Sequence, residues 1–247
     1  MLQNRKTLAG IFFFLIHLIG NDSLYAQSNY IQNKFENLQD FDNQTLHYGY
    51  FFGFSSFGYE FDYSGKYFSV LSLSNIDVQK NIGFNVGLIG DLRIHKNINL
   101  RLEPGLYSSQ RNLLYPFQPG ILSPQTRREV KSTYIHIPLL IKLSADRINN
   151  WKPYAVGGVS TSFNLSSNEK KLDDNSSGVF RVKTQTLNYE IGLGVDFYLP
   201  YFKFSPSIRG IFSLQNELIP DSSVSSPWTS NISSLVNRGL VLNLTFE

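Results

Sequence analysis

The chain of 247 residues contains no cysteine. This absence excludes a structural disulfide, a thiolate metal site, a thiol nucleophile and a lipid-modified N-terminal cysteine. Charged residues are also scarce, at 17%, against about 25% in a typical soluble protein. Aromatic residues, in contrast, reach 15% with 20 Phe and 14 Tyr. A composition poor in charge and rich in aromatic side chains favours contact with lipid.

Long apolar runs are also absent after the first 25 residues, where no stretch approaches the roughly 20 consecutive apolar residues of a membrane-spanning helix. The sequence therefore excludes a helical membrane protein. The beginning of the chain has the order of a secretory signal peptide: a basic pair at Arg5 and Lys6, an apolar core over Leu8–Ile19, and the small residue Ala26 before the expected cleavage point. An uncleaved anchor helix is the alternative, but this core is short for about 30 Å of hydrocarbon.

Eight stretches between residue 46 and the last residue alternate apolar and polar side chains, which is the period of a β-strand with two different faces. The sixth stretch is the clearest, since Leu187 to Phe197 is apolar at every odd position and polar or glycine at every even one. The fifth, from Pro153 to Leu165, is the least clear, because both of its faces carry apolar and small residues. In each stretch the charged residues fall on the less apolar face.

The connections between these stretches alternate in length: they are short at His95–Asn97, Ser144–Trp151 and Leu199–Pro200, and long at residues 59–80, 110–131, 164–185 and 215–235. A soluble antiparallel sandwich also alternates within its strands, but alternating connection lengths are typical of outer-membrane barrels. The sequence predicts an all-β fold, an eight-stranded antiparallel transmembrane β-barrel with short periplasmic turns, long extracellular loops and both termini in the periplasm. The expected parts are a signal peptide at 1–26, a polar periplasmic lead-in at 27–45 and the barrel at 46–247.

Aromatic residues are expected where this topology places the periplasmic membrane interface, because aromatic rings are enriched at the level of the lipid headgroups. The residues concerned are Tyr48, Trp151, Tyr154, Tyr198, Tyr201 and Phe246.

Ten titratable residues fall on the face that would line the barrel lumen. Side chains nearly fill the interior of an eight-stranded barrel, so we expect these residues to form a structural network of ion pairs and not to line a wide aqueous pore. A proton path or a small-ligand site is the alternative. The residues are Asp91, Arg93, Arg101, Glu103, His136, Lys142, Glu190, Asp196, Lys203 and Arg209.

Catalytic motifs are absent from the sequence, which has no HExxH, no GxSxG and no glycine-rich loop leading into a helix. After removal of the signal peptide three histidines remain, His47, His95 and His136, and none has the sequence context of a metal site or a triad. The run Asp173 to Asn175 lacks the further ligands of a calcium site. We therefore expect a non-enzymatic protein without catalytic residues, cofactor or metal. Neither nucleic acid nor a small-molecule substrate is indicated.

Two of the predicted loops combine proline with aromatic residues, at 115–120 and 220–228. Rigid turns that present exposed aromatic rings suit protein contact. Tyr115, Phe117 and Trp228 are therefore candidate partner-contact residues, and surface loops without a partner are the alternative.

Three segments resemble the PorT family of outer-membrane β-barrels, which belongs to the type IX secretion system: LRLEPGLYSSQRNLLY from Leu100, KSTYIHIPLLIKLSADRINNWKPYAVGG from Lys131, and YEIGLGVDFYLPYFKFSPSIR from Tyr189. The resemblance runs from about Asn37 to Glu247. It is most specific at the Pro-Leu-Leu-Ile-Lys strand and the Arg-x-Asn-Asn turn that follows it. Other parts are shared with the wider superfamily of small barrels.

The resemblance implies a non-enzymatic outer-membrane protein that is needed for export and surface display of cargo proteins, and for gliding motility in organisms that glide. Its implied partners are outer-membrane lipid and other secretion-system proteins. A lumen too narrow for a folded protein then implies an accessory or assembly role. The alternative is a small outer-membrane barrel that binds a ligand or an adhesion partner through the loops at 110–131 and 215–235. A barrel enzyme has the least support.

Overall fold

The computed structural model describes residues 36–64, 75–115, 127–172, 178–223, 226 and 228–247. The expected signal peptide, residues 27–35 of the lead-in, Phe117 and the run Asp173 to Asn175 lie outside the described residues. Within the described part of the chain, no helix has the length and apolarity needed to span a membrane.

The described residues form one antiparallel sheet, preceded by a single 3-10 turn at Phe41–Asn43. Its strands are β1 Leu46–Tyr63, β2 Asp77–Lys80, β3 Ile82–His95, β4 Ile98–Leu102, β5 Gly105–Leu114, β6 Arg127–Ser144, β7 Trp151–Asn164, β8 Gln185–Tyr198, β9 Lys203–Ser213 and β10 Ile232–Phe246. Asn81 alone separates β2 from β3, and Glu103 and Pro104 separate β4 from β5. Each of these two pairs is one interrupted strand, and Pro104 has no N–H to donate to a ladder. The molecule is therefore an all-β ring of eight antiparallel strands, which confirms the predicted fold class.

The ring closes at β1, whose two edges are both hydrogen-bonded. One edge pairs with β10 from Tyr50 opposite Phe246 onward, and the other pairs with β3 from Leu46 opposite Leu92 to Ser56 opposite Ile82. Closure satisfies the backbone donors and acceptors that an open edge would expose to lipid.

The outward side chains form an apolar band around the middle of the ring. On β1 the exposed outward row runs from Leu46 to Phe54, and toward the long loops it gives way to Glu60. Glu60 pairs with Arg238 of β10, and both side chains are about half exposed. On β6 the row likewise gives way to Lys131, which pairs with Glu129 at 3.2 Å. A continuous exposed apolar band with a charged rim is the surface of a protein that sits in a bilayer.

We call the end of the barrel with the short connections the turn end and the opposite end the loop end. The aromatic residues predicted for the membrane interface at the turn end divide into two groups. Tyr154 and Tyr198 are buried, so their predicted place at the membrane interface is wrong. Both occupy inward positions of their strands, where Lys142 Nζ lies 4.1 Å from the Tyr154 ring centre and the Arg147 guanidinium lies 3.7 Å from that of Tyr198. The Tyr154 ring thus lies against a cation inside the lumen, and the Tyr198 ring lies against a cation at its mouth. The residues that do lie on the outside are Tyr48, Trp151, Tyr201 and Phe246.

The strands extend further toward the long loops than predicted, since β1 continues to Tyr63 and β6 already begins at Arg127. Inside this extension the lining of the lumen changes from polar to apolar. We call the resulting buried cluster the apolar cap: Tyr59, Ile76, Leu113, Tyr115, Val130, Phe180, Val182, Leu218, Trp228, Ile232 and Leu235.

Candidate functional site in the barrel lumen

The turn-end half of the lumen contains a layer of buried charged side chains. Five strands each place one of them at an inward position: Asp91 on β3, Arg101 on β4, Lys142 on β6, Asp196 on β8 and Lys203 on β9. Removing charges from water is costly unless each charge meets an opposite charge and its hydrogen-bonding groups find partners. The arrangement of these side chains supplies both.

Arg101 is the centre of this layer. Its guanidinium nitrogens lie 2.6 Å from a carboxylate oxygen of Asp91, 2.8 Å from one of Glu247 and 3.4 Å from one of Glu103. The Nε–H of Arg101 also donates to Asp91 at 2.7 Å. A guanidinium carries five N–H donors in a planar fork, so one arginine can serve three carboxylates.

Arg209 continues the network toward the middle of the barrel. Its guanidinium lies 2.8 Å from Glu103 and 3.2 Å from Glu190. The Nε2 of His136 donates to Glu190 at 2.7 Å, and the Nδ1 of His136 lies 2.8 Å from the Ser162 hydroxyl oxygen.

Two lysines also form ion pairs with carboxylates of the network. Lys203 lies 2.8 Å from Glu247, and Lys142 donates to Asp196 at 2.6 Å. The Ser205 hydroxyl also donates to Asp196, at 2.6 Å. Nine of the ten residues predicted for the lumen thus belong to this network of ion pairs: Asp91, Arg101, Glu103, His136, Lys142, Glu190, Asp196, Lys203 and Arg209.

Arg93 lies apart from this layer. It is only partly buried, sits near the end of β3, and donates to the backbone carbonyl of Asp42 at the mouth of the barrel. Sequence reasoning missed Glu247, which joins two cations. The signal was present, because Glu247 continues the inward row of Asn243 and Thr245 on β10.

An aromatic layer lies between the charged layer and the apolar cap, and it contains Phe51, Phe57, Tyr107, Tyr134 and Ile211. Phe51 fits because two glycines face it: a Cβ on Gly87 would lie 2.5 Å from the Phe51 ring, and one on Gly105 would lie 2.7 Å from it. The cavity that remains beside this layer has about 10 Å³, which is room for at most one water. At this level the described side chains fill the lumen.

Ser162, His136 and Glu190 have the hydroxyl, imidazole and carboxylate order of a catalytic triad, which the sequence did not indicate. The Ser162 oxygen also accepts from the Asn188 amide at 2.9 Å, and all four side chains are buried in the filled lumen. A nucleophile needs about 3 Å of free approach for a reacting atom and an oxyanion site beside it. The small cavity here has no room for an acyl group, so the arrangement is a structural one. Within the described residues, no group of three or more metal-ligating side chains could hold a metal ion.

Tyr115 and Trp228 lie inside the apolar cap, where each is only 6% exposed. Their rings meet edge to face at 4.9 Å, and the Arg128 guanidinium lies 4.0 Å from the Trp228 ring centre. The expectation that these two aromatics are exposed for partner contact is therefore wrong. The physical reason is the extension of the strands, which gives these rings an interior to pack into.

Glu217 is buried beside the apolar cap, and its Oε1 has no hydrogen-bond partner among the described residues. Burial raises the pKa of Glu217 to about 7, although Arg111, Ser213 and Lys183 act in the opposite direction. A carboxyl group whose pKa is higher in the folded state than in the unfolded state stabilises the fold at low pH. That contribution is lost as the pH rises from about 4.5 through about 7.

Replacing Glu217 with glutamine should remove this pH-dependent loss of stability, because the amide does not ionise and so places no charge in the apolar surroundings. We expect the wild-type protein to lose about 2 kcal/mol of unfolding free energy between pH 5 and pH 8 through this group. The Glu217→Gln variant should be less sensitive to pH over this range, whereas Glu60→Gln at the exposed rim should behave like wild type. Urea unfolding at several pH values measures the difference. Equal pH dependence in wild type and Glu217→Gln would contradict the assignment.

Comparison with known proteins agrees with the architecture. Residues 25–218 match the family described as outer membrane protein beta-barrel domain. No curated protein matches the chain significantly. Among solved structures, the outer membrane protein OprG from Pseudomonas aeruginosa is similar over 82% of this chain and 94% of its own, with 13% identity and a TM-score of 0.46. The outer membrane protein AlkL, solved in lipid bilayers, is similar over 87% and 92%, with 16% identity and a TM-score of 0.46. Neisserial surface protein A is similar over 82% and 98%, with 11% identity and a TM-score of 0.43.

Proposed function

The chain belongs to the outer membrane protein beta-barrel domain family, and on that premise we propose that it is a non-enzymatic accessory component of type IX protein secretion. The resemblance of the chain to the PorT family, which is most specific at β6 and the turn that follows it, supports this role. We further propose that the short-turn end, with both ends of the barrel chain, faces the periplasm, and that the long loops and the apolar cap face outward.

The packing of the lumen supports the proposal that the protein is an accessory component of the secretion system and not its export channel. Buried ion pairs such as Arg101 with Asp91, the aromatic layer and the apolar cap occupy the interior in succession. The cavity of about 10 Å³ beside the aromatic layer cannot admit a polypeptide. A barrel with such an interior acts through its surfaces: the lipid-facing band, the turn end and the loop end. Its partners are then outer-membrane lipid and other proteins of the secretion system.

Deletion of the gene in the source bacterium tests the secretion role. We expect cargo proteins of the type IX system to disappear from the culture medium and the cell surface, with gliding also lost where the organism glides. Periplasmic enzymes should stay inside the cell, because the barrel itself is not needed for membrane integrity. Plasmid-borne wild-type protein should restore secretion. Normal cargo secretion in the deletion strain would overturn the proposal.

Loop replacement separates this role from ligand or adhesion binding. Residues 116–126 can be exchanged for a short Gly-Ser turn between β5 and β6 in the complementing copy. Cargo export should be kept in either case. Only a protein that binds a ligand or an adhesion partner through this loop should lose surface binding, whereas a secretion component should show no change in surface binding.

A further inference from the structure

The segment before β1 lies across the mouth at the turn end of the barrel. We call residues 36–44 the strap. The Phe41 ring stacks on His47 at a centroid distance of 4.4 Å, and the Nε2 of His47 donates to the Phe41 carbonyl at 2.7 Å. Lys203 Nζ lies 4.6 Å from the centre of the Phe41 ring. The strap therefore contacts the inner residues of the mouth through an aromatic side chain.

Asn37 holds the first half of the strap to the rim. Its backbone N–H donates to the Asn150 side-chain oxygen at 2.8 Å, and its side-chain amide donates to the Tyr198 carbonyl at 2.9 Å. The next residue, Leu38, has a φ of +51°, a left-handed conformation that a leucine rarely adopts without strain.

Asp42 is the charged anchor of the strap. The Tyr198 hydroxyl donates to its carboxylate at 2.7 Å, Lys152 lies 3.5 Å away and Arg147 lies 3.6 Å away. Arg93 donates to the backbone carbonyl of the same residue. Burial alone would raise the pKa of Asp42, but the Tyr198 hydrogen bond and the two cations hold it below its ordinary value.

The wall of the mouth carries more positive than negative charge when the strap is left out. Lys142 and Lys203 have barrel carboxylates as partners, Asp196 and Glu247. Arg93, Arg147 and Lys152 differ: within the described ranges, the one carboxylate within 4 Å of Arg147 or Lys152 is that of Asp42, and Arg93 donates to the Asp42 carbonyl. Arg147 also donates to the strap carbonyls of Asn37 and Leu38 and, in its own turn, to the Asn149 carbonyl and the Asn150 side chain. Beneath the strap a cavity of about 20 Å³ remains among these polar side chains.

The ion pairs of the strap are longer and more exposed than those of the lumen network. The two strap pairs span 3.5 and 3.6 Å, against 2.6 to 2.8 Å for the shortest lumen pairs, and the Asp42 side chain is 33% exposed. None of the three residues of its 3-10 turn is buried. Asp42 is partly exposed, so these two ion pairs are weaker than the buried pairs of the lumen. The hydrogen bonds of the strap use a carboxylate, backbone carbonyls and an amide, so a second segment that offers the same groups can compete for the same donors.

We propose that the turn-end mouth is a docking site for an acidic peptide segment of a second protein, and that the strap occupies this site in the isolated barrel. The fitting segment carries a carboxylate for Arg147 and Lys152, a backbone carbonyl for Arg93, and an adjacent aromatic ring for His47. The strap has this chemistry itself, as Asp-Phe-Asp at Asp40 to Asp42. The inference does not depend on the secretion role, because it rests on the contacts and charges of the mouth alone.

A labelled synthetic peptide with the strap sequence ENLQDFDNQ provides the test. It is titrated, by fluorescence anisotropy, against full-length barrel in detergent micelles, as wild type and as the double variant Phe41→Ala with Asp42→Asn. A tethered segment competes at an effective concentration in the millimolar range, so disabling the strap should strengthen binding about tenfold or more. Binding should weaken with added salt and should be lost when the peptide carries asparagine at its second aspartate. Adding Lys152→Ala to the double variant should abolish it, whereas adding Lys131→Ala at the loop end should not.

The proposal fails if the double variant, shown to be folded by its heat-dependent gel mobility, binds the peptide no more tightly than wild type, or if the asparagine peptide binds equally well. A second measurement covers a double variant that does not fold. In the wild-type barrel, hydrogen exchange at the backbone amides of Asn43 and Gln44, which are bonded within the strap, should accelerate at millimolar peptide. Unchanged exchange under saturating peptide would overturn the proposal in that case.

Discussion

Replacing Arg101 with methionine is expected to lower the unfolding free energy of the barrel by about 3–5 kcal/mol. Methionine keeps an unbranched apolar stem of similar length but removes the charge that three carboxylates share. Glu103 retains Arg209, and Glu247 retains Lys203. Asp91 has no second ion pair among the described residues, so the variant leaves it as a buried carboxylate without a balancing cation.

Arg238→Met is the matched control, because it removes an arginine from an ion pair at the barrel surface. The side chains of Arg238 and Glu60 are 55% and 48% exposed, and such pairs contribute about 0–1 kcal/mol. Reversible urea unfolding in lipid vesicles, followed by tryptophan fluorescence and by gel mobility, measures both variants. If Arg101→Met costs no more than Arg238→Met, the carboxylates do not depend on Arg101 and the description of the lumen is wrong.

Strand alternation predicted most of the charged residues that enter the lumen, because successive side chains of a strand must point to opposite faces. It did not find Arg111 of β5, which the prediction placed in a loop and which is fully buried. Asp91 and Glu190 could be assigned from this rule alone. The partners could not be assigned, since they lie on strands that meet only when the ring closes. Arg101 and Glu247, for example, are 146 residues apart in sequence. Alternation was sufficient to place Glu247 on the inward face, but not to assign Arg101 and Lys203 as its partners.

Alternation could not predict the apolar cap. A row of aromatic residues beyond the membrane is compatible with an exposed loop and with the interior of a longer barrel. Tyr59 and Tyr115 were therefore placed in predicted loops, although both are buried. Only the packing of several loop-end segments, such as Val182 of one connection against the strand residues, decides between the two.

The lead-in shows the same limit at the opposite end of the barrel. Its polar sequence predicted a periplasmic lead-in, and the composition gave no sign that Asp42 reaches Lys152, which lies 110 residues further along the chain. Periodicity describes a face of a regular strand. It carries no information about a short irregular segment whose position depends on charges from distant turns.

The lipid-facing band is the source of the second large effect. Replacing Leu193 with arginine is expected to lower the unfolding free energy in vesicles by about 2–4 kcal/mol. Leu193 lies near the middle of the outward row of β8, between Ile191 and Val195, and its side chain is 64% exposed on the barrel surface. In a bilayer this exposed position faces hydrocarbon, so a guanidinium there must either enter the apolar phase or draw water and headgroups toward the membrane centre.

Leu172→Arg is the control that separates lipid from water, since Leu172 is 94% exposed beyond the loop end of β7. A guanidinium there stays hydrated, so the change should lie within about 0.5 kcal/mol of wild type. Both variants replace an exposed leucine with arginine. They differ only in the surroundings of the new side chain, which are hydrocarbon at Leu193 and water at Leu172. A small effect at Leu193 in vesicles, equal to that at Leu172, would mean that water and not hydrocarbon surrounds the apolar band.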